Sequence, residues 1–447
     1  MIPGDYNIAV RNALLLLAFF SFRLILATPA LKDPDLALRI NPDASLYQGL
    51  GVNMARHDAF SGVSSPPYGP EGLRTPLYPL LVAVSDRFAG DPIRPVLVLQ
   101  ALLWALMGIG LLVFTEKRYG MVAGLTSAIL MLISPLSLKY GPSLMSENLF
   151  APVLVAGALV FFRAREKGSL RLFALAGLLI GLSALVRPSS LALGVILALL
   201  VGRPLLKRGA VFAGLWLAPV GMWVIRNWLT FGFPFFSTIF SLNLTFQHAP
   251  MVIASAEGIP LDEAEKRVDQ DLRNRYGADE TWAYDPEKLN IMLPYGFEVV
   301  RNHPVEYAKL YLKGSLMCFG PSDPGSLGMS LGLWEEVPSS PFALINQAMV
   351  NPARARELLG KAMRDMGPVG GLLLALILAH TIALYAMALV GAVRLRRDRV
   401  LLGVCLLSIA ALVLIVGVSG SPRFRLPAEP CLALLAGGAF LSRRASS

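Results

Sequence analysis

Asp43 and Tyr47 lie four residues apart in Asn41-Pro42-Asp43-Ala44-Ser45-Leu46-Tyr47, and Arg74 follows in Arg74-Thr75-Pro76-Leu77-Tyr78-Pro79. Both motifs sit in a polar stretch, Lys32 to Arg74, that joins one long apolar block to the next. A carboxylate can take a proton from a hydroxyl, and an arginine can grip a phosphate through two parallel N–H bonds. At a membrane boundary this combination points to chemistry on an anionic lipid. If Pro42 opens a helix, Asp43 falls in its first turn, where the helix dipole stabilises a carboxylate.

More cations stand at the ends of apolar blocks. They are Lys139 beside Tyr140, Arg187 in Leu185-Val186-Arg187-Pro188, Arg226 before Asn227, and Arg423 and Arg425 in Pro422-Arg423-Phe424-Arg425-Leu426-Pro427. Ionisable groups at membrane depth are costly and usually functional. The set as a whole suggests a phosphate site. Glu147, in Met145-Ser146-Glu147-Asn148-Leu149, is the candidate second acid, with Ser146 expected to cap the helix that it opens. Asp58 and Glu71 read as solvated surface. Tyr78 and His248 are expected to contact substrate.

Among the 447 residues 55% are hydrophobic and 16% charged, and the mean hydropathy is +0.59. That belongs to a polytopic membrane protein. The net charge of +10 reads as positive-inside topology rather than nucleic-acid binding, because the basic residues cluster in short loops. Three cysteines without a CxxC pair and four histidines without HExxH spacing give no disulfide framework and no zinc motif. There is no P-loop and no dinucleotide fingerprint, so any substrate must arrive already activated.

A spanning helix needs about 20 mostly apolar residues. Spans are expected near 9–29, 93–115, 120–138, 147–163, 170–187, 189–203, 210–229, 368–393, 400–419 and 427–442. Block 75–89 is expected as a juxtamembrane or re-entrant helix. Basic clusters at Lys117 and Arg118, at Arg163 to Arg171, at Arg203 to Arg208, at Arg394 to Arg399 and at Arg443 and Arg444 then share one side, taken as the cytoplasm, with both termini. Residues 30–92 and 230–367 lie outside. The second is about a third of the chain and longer than ordinary connections. Amphipathic helices are expected over Leu261–Tyr276 and Val305–Phe319, the latter lying on the membrane with Tyr307, Leu310, Tyr311 and Leu316 on one face. The organisation expected is an N-terminal membrane module, 1–229, a cap, 230–367, and C-terminal helices, 368–447.

With these pieces in this order, the chain resembles the GT-C superfamily of integral-membrane glycosyltransferases. The branch it is most similar to holds the bacterial relatives of protein O-mannosyltransferases and the lipid A aminoarabinose transferase. The matching pieces are the first outer loop with Asp43 and Tyr47, the Arg74–Pro79 return, Ser146-Glu147, Leu185–Pro188, Arg226-Asn227 with Phe231-Gly232, and Arg423–Pro427. The resemblance implies an all-α, polytopic GT-C bundle of about ten spans in a bacterial inner membrane. It implies a polyprenyl-phosphate-linked sugar as donor and Asp43 as the catalytic acid. Many members carry two adjacent acids where this chain has Asp43-Ala44, so a divalent metal stays open as the only cofactor. The acceptor would be a lipid, a glycan or a protein.

A phosphate leaves as an anion, so the enzyme need not protonate it as a glycosidase protonates an alkoxide; it needs cations instead. The expected reaction has Asp43 as base on an acceptor hydroxyl and inverts the anomeric carbon. The alternative is a transporter or flippase of lipid-linked sugars. Repeated halves with matching broken helices would favour it, and the sequence shows neither.

Overall fold

The computed structural model describes residues 3–202, 204–277, 285–336 and 352–441. The positions Arg203, Arg443 and Arg444 of the basic clusters lie outside the described residues. Every regular element among the described residues is helical.

The first helices are α1 (Pro3–Lys32), α2 (Pro34–Arg39), α3 (Asp43–His57), α4 (Leu77–Ala89), α5 (Arg94–Tyr119) and α6 (Met121–Leu132). They are followed by α7 (Pro135–Tyr140), α8 (Glu147–Lys167), α9 (Leu170–Val186), α10 (Ser190–Leu199) and α11 (Leu205–Phe231). A run of shorter helices comes next: α12 (Ile239–Asn243), a π-helical turn (Leu244–His248), α13 (Ala249–Glu257), α14 (Leu261–Tyr276), α15 (Pro286–Asn302), α16 (Pro304–Met317) and α17 (Pro324–Ser330). The chain returns through α18 (Pro352–Arg394), α19 (Arg399–Leu414), a 3-10 strap (Pro422–Ala428) and α20 (Glu429–Gly438).

Among the described residues five helices are long and apolar enough to cross a membrane: Asn7–Lys32, Arg94–Tyr119, Glu147–Lys167, Leu206–Phe231 and Arg356–Arg397. The other expected spans are shorter helices. The block 120–138 is not one helix. Pro135 has no N–H to continue α6 and forces Ser134 into an extended conformation (ψ 128°), so the chain turns and restarts as α7. That break carries Lys139 and Tyr140 inward. In α18 the left-handed Gly367 (φ 58°) stands before Pro368 and kinks the helix.

The protein is embedded in a membrane. Leu14, Leu17 and Ile25 on α1 and Leu372, Ile382 and Leu389 on α18 are all more than half exposed. Hydrocarbon tolerates such faces where water would not. Inside the bundle, Phe161 packs edge-on against Phe162, Phe173 and Phe212, joining α8, α9 and α11.

The shorter helices build a second apolar core. Ala264, Val268 and Leu272 recur at helical spacing on α14 and pack with Val252, Met292 and Leu310. On α16 Leu310 and Gly314 face inward, whereas Leu316 is 63% exposed, so it is not on the face of Leu310 as expected. α16 meets the segment before the strap through two glycines. A Cβ on Gly420 would stand 1.8 Å from the Gly314 carbonyl oxygen, so only glycine allows this approach.

Two ends of the bundle separate. The ends of α5 and α8 meet through Arg118 and Glu166; Arg165 reaches the Leu200 carbonyl, and Arg394 the Ala439 carbonyl. The described basic clusters therefore gather at one end. Glu147, at the start of the 21-residue α8, stands about 30 Å away at the other end, at ~1.5 Å per residue.

Candidate active site

Asp43 opens α3 as expected, with Pro42 preceding it and its backbone N–H donating to Asn41 Oδ1 at 3.0 Å. Its carboxylate is held by two arginines. Arg74 Nη2 lies 2.7 Å from Oδ1, and Arg423 Nη1 lies 2.7 Å from Oδ2. Arg423 then bridges to the second acid, with Nε 2.6 Å from Glu147 Oε1. Arg187 completes the row, with Nη1 2.7 Å from the same Glu147 oxygen. The order Arg74, Asp43, Arg423, Glu147, Arg187 joins segments far apart in the chain. Three guanidinium groups against two carboxylates leave one net positive charge.

The backbone explains how these side chains meet. Thr75 Oγ1 donates to the Val186 carbonyl at 2.9 Å, which sets Arg74 beside Arg187. The turn before Glu147 is pinned from α5: Trp104 Nε1 donates to Asn148 Oδ1 (3.0 Å), and Gln100 Nε2 to the Ser143 carbonyl (3.1 Å). Asn148 Nδ2 in turn donates to the Tyr140 carbonyl at 2.7 Å. Ser146 does not cap α8 through its side chain. Its hydroxyl instead accepts from Tyr47 (2.9 Å) and from Arg187 Nη1 (3.1 Å). Tyr47 therefore sits at the cluster, with Arg74 stacked 5.5 Å over its ring.

Burial pushes the Asp43 carboxyl up, but Arg423 and then Arg74 outweigh it and hold the group well below the usual carboxylate range. Arg74 Nε is buried and has no hydrogen-bond partner, a donor directed at nothing in the protein. Lys139 is also at this end. It is 4% exposed, with Nζ 3.9 Å from Asp323 and 4.8 Å from the centre of the Tyr140 ring.

Other expected site residues are placed elsewhere. Arg425 is fully committed inside the protein, to Glu429 (3.3 Å) and to the carbonyls of Cys318 (2.9 Å) and Gly320 (2.7 Å). Glu429 also accepts from Ser134. This knot anchors the strap that presents Arg423. Tyr78 is buried, donates to Gln100 Oε1 at 2.7 Å and packs edge-on against Tyr47. It supports Tyr47 and has no free hydroxyl for a sugar. Arg226 donates to the Glu71 carbonyl (3.0 Å) and to Asn227 Oδ1 (2.9 Å), and lies against Phe60 and Trp223. Asn227 donates to the Phe235 carbonyl at 2.9 Å. Both residues brace the Glu71–Arg74 loop. His248 is buried among the short helices beside Tyr307, and neither ring nitrogen makes a hydrogen bond.

Glu71 is not solvated. It is 6% exposed, and Oε1 accepts from the Leu73 N–H at 2.6 Å. Burial raises its carboxyl above the ordinary value. Asp58 is open to solvent, as expected. Sequence reasoning missed Asn41, Trp104, Asp323 and Glu429. Only Asn41, directly before Pro42-Asp43, carried a local signal.

Among the described residues no group of three His, Cys, Asp or Glu side chains could hold a metal ion. The charge of both carboxylates is already met by arginine. The donor set therefore does not fit a metal site of the ordinary kind.

Residues 73–228 match the family model of dolichyl-phosphate-mannose-protein mannosyltransferases. No curated protein matches the chain. Among solved structures it is similar to ArnT from Cupriavidus metallidurans bound to undecaprenyl phosphate, with 13% identity over 84% of this chain and 80% of that one and a TM-score of 0.43. It is also similar to the Archaeoglobus fulgidus oligosaccharyltransferase in its apo form, with 16% identity over 96% of this chain and 50% of that one and a TM-score of 0.44. A third is the archaeal oligosaccharyltransferase AglB from the same organism in complex with an inhibitory peptide and a dolichol-phosphate (16%, 93% and 50%, 0.40). The chain spans about half the length of the archaeal proteins. The family match takes in Arg74, Lys139, Glu147, Arg187 and Arg226, while Asp43 and Arg423 lie outside it. The family match covers 156 of the 447 residues and is the likeness that bears on function.

Proposed function

We propose that the protein transfers a sugar from a polyprenyl-phosphate-linked donor to an acceptor hydroxyl, at the face of the membrane where Asp43 lies. The observation that carries this reading is the row Arg74, Asp43, Arg423, Glu147, Arg187, with its single surplus positive charge. A phosphodiester between a sugar and a polyprenol carries one negative charge. A free phosphate or a nucleotide would bring more.

Arginine prefers a phosphate as readily as a carboxylate, because both accept its two-pronged donation. The donor phosphate competes with Asp43 for Arg74 and Arg423, and Arg74 Nε is a donor without a competing partner. Drawing the arginines to the phosphate frees Asp43 and returns its basicity. The acceptor O–H then gives its proton to the Asp43 carboxylate, and its oxygen attacks the anomeric carbon from the side opposite the phosphate. The bond from that carbon to the phosphate oxygen breaks. Its electron pair stays on the polyprenyl phosphate, where the arginines stabilise the charge. One displacement inverts the configuration. In this reading Glu147 orients Arg187 and Arg423, and Tyr47, Lys139 and Tyr140 border the sugar.

The short helices between α11 and α18 form the cap that selects the acceptor. By the positive-inside rule the end with the basic clusters is cytoplasmic, so the reaction is extracytoplasmic, in a bacterial inner membrane.

The test is release of free polyprenyl phosphate by the protein in liposomes, from a panel of polyprenyl-phosphate sugars with short-chain acceptors. Release with one sugar and a glycosylated acceptor of inverted configuration is the expected result. Donor that crosses the bilayer intact, with no release, would replace this reading by a flippase.

A further inference from the structure

At the end of the bundle away from Asp43, α5 and α8 leave a groove of about 420 Å³ between them. Leu106, Ile109, Val113 and Leu159 form its walls. Leu106 is 46% exposed, so the groove opens sideways, toward lipid. Its far end is closed by charge. Glu166 pairs with Arg118 and, at 3.1 Å, with Arg163, and Lys117 stands beside them. Arg118 is locked in place, 3.8 Å over the Phe114 ring. Three cations and one carboxylate leave two surplus positive charges at the closed end of an apolar groove.

We propose that this groove binds one anionic glycerophospholipid from the leaflet opposite the Asp43–Glu147 cluster. Its acyl chain lies along the wall from Leu106 to Val113, and its headgroup phosphate sits between Lys117 and Arg163. The volume falls in the roughly 300–1,000 Å³ range of small-molecule sites. Basic pockets between membrane helices on the cytoplasmic side suit anionic headgroups. A zwitterionic lipid would leave the surplus charge unanswered, and a soluble anion would leave the apolar wall uncovered. The site is separate from the reaction. Arg163 and Glu166 stand at the opposite end of α8 from Glu147, about a bilayer's hydrocarbon thickness away.

Native mass spectrometry of the full-length protein, stripped of lipid and titrated with phosphatidylglycerol or phosphatidylcholine of the same chains, tests this. The two cations should give phosphatidylglycerol a roughly 30-fold preference at one site. The exposed double variant Lys117→Ala, Arg163→Ala should lose that preference. Leu106→Trp, which fills the groove, should weaken both lipids. Equal binding of the two lipids by the wild type, or a preference that survives in the double variant, would overturn the proposal. Retention of polyprenyl phosphate that falls in the Lys117→Ala, Arg163→Ala variant would overturn it too, by giving the groove to the donor lipid.

Discussion

Replacing Arg423 with methionine removes the side chain that bridges Asp43 and Glu147. Glu147 is 1% exposed and 2.6 Å from Arg423. Removing one partner from a buried pair costs about 3–5 kcal/mol, because the other charge is left behind. Arg187 still holds Glu147 at 2.7 Å, so the lower figure, about 3 kcal/mol, applies here. Asp43 is 23% exposed and keeps Arg74, and adds about 1 kcal/mol at most. Catalysis suffers separately. Losing charge-assisted hydrogen bonds to the donor phosphate, at about 1.5–3 kcal/mol, lowers kcat/KM for the donor by roughly 10- to 150-fold. Thermal melting in detergent and donor kinetics in liposomes read the two effects. The variant Arg423→Lys separates them, since an ammonium keeps a positive charge beside Glu147 and should recover much of the melting temperature, but it lacks the two-pronged grip on phosphate and should recover little of the donor affinity. Recovery of both would refute the two-pronged grip. An Arg423→Met variant that melts like the wild type would refute the burial argument.

Four further outcomes follow. Burial pushes the His248 imidazole down to about 4. Folding then favours the neutral ring, so stability is complete above the unfolded value of about 6.5 and falls as pH drops from there toward 4. In His248→Phe, melting curves between pH 5 and 7 should lose that slope. The depressed Asp43 carboxyl works from another range: its contribution is present above about pH 4 and lost on acidification below it, and Asp43→Asn should flatten the acid limb of stability. Glu71→Ala strands the buried Leu73 N–H and should cost about 1–3 kcal/mol, with a raised donor KM as Arg74 loses its support. Arg425→Met should destabilise by about 3–5 kcal/mol while the folded fraction keeps the wild-type donor KM, because Arg425 is held by Glu429, two backbone carbonyls and the Tyr385 ring, away from Asp43.

Apolar length was legible in the sequence, and so was the helix start that follows Pro42. The helix Leu261–Tyr276 appears with the boundaries expected for it, because its apolar residues keep strict helical spacing. The site was legible as a set of residue types but not as a geometry. Asp43, Glu147, Arg74, Arg187 and Arg423 meet because Thr75 is tied to Val186 and because Arg425 ties the strap to the Cys318 and Gly320 carbonyls, and neither long-range contact leaves a local trace. Arg425 and Arg423 look alike in sequence, two residues apart, yet one is sealed in the protein and the other reaches the cluster. Glu71 reads as surface from its polar neighbours. Only the fold reveals that it caps its own loop. The break at Ser134-Pro135 was readable from proline chemistry, but the apolar residues on both sides concealed it in a hydropathy window.

The central claim is that Asp43 accepts the proton while the arginines hold the donor. The most direct measurement compares wild type with Asp43→Asn in one liposome assay, following both donor retention and release of polyprenyl phosphate in the presence of acceptor. Asp43→Asn is expected to retain the donor at least as well, since Arg74 and Arg423 lose their competing carboxylate, and to release no polyprenyl phosphate. Release by Asp43→Asn at the wild-type rate would contradict that claim and remove Asp43 from the chemistry.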